Sequence, residues 1–158
     1  MKPVVQLERT GCGIASVAVL AGVSYAEAKL VANRLGIFAE DSKLWSETGY
    51  VRRLVKKFGF RSARTEVPFT SWEALPNLAL LAIKWHKERD RAFWHWVVFW
   101  RGSRGPVVFD SKRDLRNHER TDFGRMRPTW FIRMERISSC LTGPGRERGG
   151  SSAKRRRC

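Results

Sequence analysis

Cysteines, acidic residues and long apolar runs are all in short supply in this chain. Its three cysteines stand at positions 12, 140 and 158. An odd number with no CxxC pair gives neither a disulfide framework nor a structural zinc site, so a reduced compartment is expected. Each thiol is then inert or reactive according to its surroundings. No stretch approaches about 18 uninterrupted apolar residues, and no transmembrane segment is expected. The opening Met-Lys-Pro-Val-Val-Gln-Leu-Glu is too short and too polar for a signal peptide, which points to a cytoplasmic protein. Asp and Glu number 15 against 31 Lys and Arg, for a net charge of +16. Such a balance favours acidic partners: nucleic acid, an anionic membrane surface or an acidic protein.

What is present reads as one packed domain. The hydrophobic fraction is 42% and there are seven tryptophans in 158 residues, enough for a sizeable core. A first helix is expected from near Cys12 to Gly22, rich in Ala, Ser and Gly. Ser24-Tyr25-Ala26-Glu27 has capping-box spacing and Gly36 supplies a stop, so a second helix should span Tyr25 to Leu35. A third should run from Thr48 to Phe58 and end at Gly59. Ser71-Trp72-Glu73-Ala74 suggests a short fourth helical turn. The pattern then changes to β-branched and aromatic runs over Leu78–Trp85, Ala92–Arg101, Gly105–Asp110 and Thr129–Glu135. Helices first and strands second imply an α+β domain over residues 1–137, with helices packed on a C-terminal antiparallel sheet. Residues 138–158 are rich in Gly, Ser and Arg and read as a flexible basic tail.

One strand pair carries candidate chemistry. In Trp94-His95-Trp96-Val97-Val98-Phe99-Trp100 alternate residues share a face, so His95, Val97 and Phe99 lie together. Gly102-Ser103 suits a two-residue hairpin loop with glycine first, which sets His95 directly opposite Asp110 at roughly 5 Å between β-carbons. A His and an Asp across two strands form a base and its orienting acid. Cys12, at a helix N-terminus, would feel the positive end of the helix dipole and a neighbouring imidazolium, both of which favour thiolate. Gln6, the only glutamine, precedes Cys12 by six residues and is placed to aim its amide at an oxyanion beside the Cys12 N–H.

Gln6, the six-residue step to Cys12-Gly-Ile-Ala-Ser, then His95-Trp-Val-Val and Val-Phe-Asp110 resemble papain-like cysteine peptidases. The C39-like group is the most similar, known from the leader-cleaving domains of bacteriocin exporters and from stand-alone bacterial proteins. The resemblance covers roughly residues 4 to 135, with no diagnostic motif between positions 36 and 90. It implies a papain-like fold and a thiol peptidase acting on a peptide or protein substrate. Cys12 would be the nucleophile, His95 the general base, Asp110 the orienting acid and Gln6 the oxyanion donor, with no metal or organic cofactor. The chain departs from the pattern at two places. Gly11 stands where an acidic residue commonly precedes the cysteine, and Ser111 where proline commonly follows the acid.

Other readings of the same residues stand beside this one. His86, among Lys and Glu, should face solvent, and His118 lies in the charged stretch Arg-Asn-His-Glu-Arg-Thr-Asp; either is a substitute base if the hairpin is misread. Cys140 and Cys158 are incidental to the domain. The same fold is compatible with a catalytically inactive interaction module. The basic charge, the Trp stripe and the tail are compatible with a nucleic-acid-binding protein, provided the Trp face is open for stacking.

Overall fold

The computed structural model describes residues 1–137. The expected tail and the cysteines at positions 140 and 158 lie outside the described residues. Three helices lead: α1 (Cys12–Ala21), α2 (Tyr25–Arg34) and α3 (Gly49–Lys57). Local signals set their ends. The full capping box forms at Ser24 and Glu27, while Gly22 (φ 71°), Gly36 (φ 70°) and Gly59 (φ 76°) take the left-handed conformation that stops a helix. The expected fourth helical turn is an ordinary turn, in which the Ser71 hydroxyl accepts from Ala74 N–H at 3.3 Å. With Pro76 close behind, the chain cannot extend it into a helix.

Seven antiparallel strands follow: β1 (Phe60–Ser62), β2 (Val67–Pro68), β3 (Leu78–Glu88), β4 (Arg91–Gly102), β5 (Gly105–Asp110), β6 (Glu119–Arg120) and β7 (Pro128–Arg136). Their order is β1-β7-β3-β4-β5-β6, with β2 also pairing β7. The domain is therefore α+β. The four long strands match the runs expected, whereas β1, β2 and β6, of two or three residues each, carry no readable alternation.

Alternation along β4 splits the core in two. Trp94, Trp96 and Val98 join α1, α2 and α3 in the larger cluster, and Val97 and Phe99 join Leu81, Ile83, Val108 and Phe131 in a smaller one on the other face. α1 is buried on nearly every side, from Cys12 through Leu20. Its small residues allow this, because a helix surrounded by protein needs close backbone approach. Trp94 and Trp96 are buried and pack edge-on against Trp130, so these two do not form an open stacking face. Among the described residues no single helix is long and apolar enough to cross a membrane.

Candidate active site

The β4–β5 hairpin differs from expectation by two residues. Gly102 pairs with Gly105, so the turn is Ser103-Arg104, and Asp110 lies opposite Val97 rather than His95. The cause is Gly105, whose φ of 96° supplies the left-handed residue just after the turn, leaving Gly102 in the strand. A slip of two keeps the parity of the strands. His95 and Asp110 thus remain on one face as diagonal neighbours, within reach of a long side chain.

That reach is used. His95 Nε2 donates to Asp110 Oδ1 at 2.7 Å, with the Asp110 side chain fully buried and His95 15% exposed. Asp110 Oδ1 also accepts from Lys112 N–H at 3.1 Å, and Oδ2 from Arg120 Nη1 at 3.0 Å. Burial opposes ionisation of Asp110, but the bonds to His95, Lys112 and Arg120 outweigh it and hold the carboxyl far below its usual range. Burial likewise disfavours the His95 cation. Here the bond to Asp110, followed by the approach of Cys12, prevails and raises its pKa to about 9. With Nε2 committed to Asp110, Nδ1 is the nitrogen left to face Cys12.

Arg120 was not expected from the sequence. It reaches Asp110 from β6 and is itself held by Asp122 through two bonds of 2.9 and 2.8 Å. The two substitute bases take other roles. His118 bonds through Nδ1 to the Asp110 carbonyl at 2.9 Å, bracing the backbone that carries the acid. His86 is exposed, stacks on Phe93 and lies 3.3 Å from Glu88.

The Cys12 side is built differently. Cys12 begins α1 with no side-chain cap in front of it, because the N-cap residue is Gly11; the neighbouring Thr10 hydroxyl donates to the Ala39 carbonyl. The thiol has no exposed surface. The only two tyrosines of the chain close in on either side. A β-carbon at Gly11 would lie 2.0 Å from the Tyr25 hydroxyl, and one at Gly13 would lie 2.0 Å from the Tyr50 hydroxyl. Gly11 thus stands where no side chain fits, and an acid is supplied at one remove by Glu8, which accepts from the Tyr25 hydroxyl and from Lys29 at 2.6 Å. The buried Tyr50 hydroxyl has no hydrogen-bond partner among the described residues.

Gln6 is buried and joins both sides of the site. Its Nε2 donates to the Glu8 and Arg9 carbonyls, each at 2.9 Å, and its Oε1 accepts from the Ser111 hydroxyl at 3.0 Å. Its backbone N–H donates to the Ser111 carbonyl at 3.0 Å. Two carbonyls on one end and a hydroxyl on the other fix the orientation of the amide. Both amide hydrogens therefore hold the Gln6–Gly11 loop, and neither is free for an oxyanion. Ser111, the second departure, gains its place by this bond, which a proline could not make.

A groove of about 820 Å³ opens beside these residues, reaching Gln6, Trp94 and His95 at its inner end. Cationic Arg9, Lys84, Lys112 and Arg113 line it against the carboxylates Glu88 and Asp114. Burial and the nearby Lys112 lower the pKa of Lys84. Among the described residues no group of three His, Cys, Asp or Glu converges as a metal site. No family model matches the chain, and no curated protein was found to be similar to it.

Proposed function

We propose that the chain is a papain-like cysteine peptidase of C39-like type, hydrolysing a peptide or isopeptide bond. The observation that carries this reading is the buried His95–Asp110 bond of 2.7 Å, and the influence of Cys12 on the His95 pKa supports it. In this reading Cys12 Sγ attacks the carbonyl carbon while its proton resides on His95. The tetrahedral intermediate collapses as His95 Nδ1–H gives that proton to the leaving amine. A water then loses a proton to His95 and attacks the thioester, releasing the acid and regenerating the thiol. The uncapped α1 N-terminus offers the Cys12 N–H to the oxyanion. The Gln6 amide joins it only after leaving the Glu8 or Arg9 carbonyl.

A second reading, an inactive interaction module of the same fold, draws support from the complete burial of Cys12. Iodoacetamide alkylation of each cysteine, resolved by peptide mass spectrometry across pH, separates the two. For the peptidase, Cys12 alkylates well below pH 8 and His95→Ala slows it by about 10²-fold. For the inactive module, Cys12 is protected, or reacts like Cys140 and Cys158 in both proteins. A nucleic-acid-binding role keeps the support of the +16 charge and of the basic residues beyond position 137, and predicts binding that falls steeply with salt.

A further inference from the structure

β3 breaks its register beside the site. Ile83 pairs with His95 and His86 with Phe93, so Lys84 and Trp85 together oppose the single residue Trp94. This is a β-bulge, and Lys84 within it holds φ at 54°, in the left-handed region that a lysine rarely adopts. Strict alternation from Ala82, whose partner is Trp96, would turn position 84 toward the helix-covered face of the sheet. With the bulge, Lys84 lines the groove next to Trp94 and His95 instead. Strained backbone of this kind persists where its surroundings enforce it, and gathers at binding and catalytic sites.

Neither Lys84 nor Arg9 nor Arg113 forms a direct ion pair among the described residues, although Asp110 and Asp114 lie near enough to Lys84 to favour its charge. Lys112 reaches only Asp114, at 3.8 Å. The groove thus carries an excess of positive charge, four Lys and Arg side chains against Glu88 and Asp114, beside the imidazole that would act on a scissile bond. We propose that the groove takes an acidic peptide segment, with Lys84 binding a carboxylate within a residue or two of the bond to be cut. The carboxylate is an Asp or Glu side chain, or the free end of a chain. The proposal rests on the cysteine peptidase reading and adds to it a substrate class and a specificity residue.

The test uses three alkylating probes of matched size on the full chain: N-iodoacetyl-glutamine amide (neutral), N-iodoacetyl-glutamate α-amide (side-chain carboxylate) and N-iodoacetyl-glutamine (terminal carboxylate). Rates at Cys12 are normalised to those of a free thiol. At least one charged probe is expected to outpace the neutral one by about tenfold at low ionic strength, and by much less at high salt. Lys84→Met should remove the preference and Lys84→Arg should keep it, each read as the ratio of charged to neutral rates within the same variant. The faster charged probe identifies the carboxylate's source. Equal rates for charged and neutral probes, or a preference that survives Lys84→Met, would overturn the proposal while leaving the peptidase reading intact. Equal rates together with protection of Cys12 by a single-stranded oligonucleotide would assign the groove to phosphates and overturn it as well. A neutral-probe rate unchanged by His95→Ala overturns the peptidase reading, and the substrate proposal with it.

Discussion

The strand side and the helix side of the site are held by opposite means. On the strands, the polar side chains of the site hold one another: His95 on Asp110, and Asp110 on Lys112 N–H and Arg120. On the helix side the same kinds of group are committed elsewhere. The Gln6 amide holds two loop carbonyls, and Cys12 has no surface. The sheet can be rigid because antiparallel pairing fixes both backbones before any side chain is placed. The Gln6–Gly11 loop has no ladder and takes its shape from the Gln6 amide bonds and two backbone bonds, Gln6 N–H to Ser111 and Gly11 N–H to Glu8. The comparison teaches that the His95–Asp110 half is preorganised, whereas the half that holds Cys12 and Gln6 stands closed.

The sharpest way to break the contrast is Asp110→Asn. The amide keeps the shape but offers one acceptor oxygen where the carboxylate serves three donors, and it leaves His95 without a counter-charge and Arg120 with Asp122 alone. Loss of one partner from a buried charge cluster costs about 3 kcal/mol. Urea denaturation should show this loss, with the His95 titration moving down from about 9 toward its ordinary value. A loss within about 0.5 kcal/mol would mean that the strand side is not held by this cluster.

The same pair sets a pH window. The folded pKa of His95 lies above its ordinary value of 6.5, so its contribution to stability is complete below about pH 6.5 and is lost as pH rises through about 9. Asp110 is depressed, so its contribution is present above its ordinary value of 3.8 and is lost at lower pH. Stability from the pair should therefore be greatest between about pH 4 and 6.5. Denaturation at pH 6 and pH 9.5 should show the decline, and His95→Gln should abolish that part of it. An equal decline in His95→Gln would assign it to other groups.

Gly13→Ala probes the helix side. Alanine favours a helix by roughly 1 kcal/mol over glycine. Its β-carbon would meet the buried Tyr50 hydroxyl at 2.0 Å and ring carbons at 2.7 and 2.9 Å, and overpacking typically costs 1–3 kcal/mol. The clash should win by about 1 kcal/mol. Tyr50→Phe removes the nearest atom but not the ring, so the double variant should recover only part of the loss. Full recovery would place all the strain on the hydroxyl.

Much of this division was legible in the sequence, for reasons that differ by residue. Helix ends were readable at Ser24, Gly22, Gly36 and Gly59 because caps and stops are local. The pairing of His95 with Asp110 survived a wrong turn because a two-residue slip preserves the face. Arg120 was not legible: a two-residue strand has no period, and only the fold brings it to Asp110. Lys84 was hidden because no glycine marks its bulge, and a regular Leu-Ala-Leu-Leu-Ala-Ile run precedes it. The step from Gln6 to Cys12 gave proximity but not the direction of an amide, which depends on Ser111, far along the chain.

The smallest expected effect concerns that amide. Gln6→Ala removes the two bonds that hold the Glu8 and Arg9 carbonyls, together with the bond from the Ser111 hydroxyl, and keeps the backbone bond to the Ser111 carbonyl. Alkylation by iodoacetamide passes through no oxyanion, so a change in its rate at Cys12 reports access and the state of the thiol. It says nothing of transition-state hydrogen bonding. If the Gln6–Gly11 loop is what closes over Cys12, the variant should alkylate faster, by about threefold, since the bonds lost are each worth about 1 kcal/mol and part of the loop's shape survives. His95→Ala combined with Gln6→Ala should still react slowly, because access without the base yields little thiolate. An unchanged rate would move the closure away from the loop. The tyrosines against Gly11 and Gly13 would then be the next side chains to shorten.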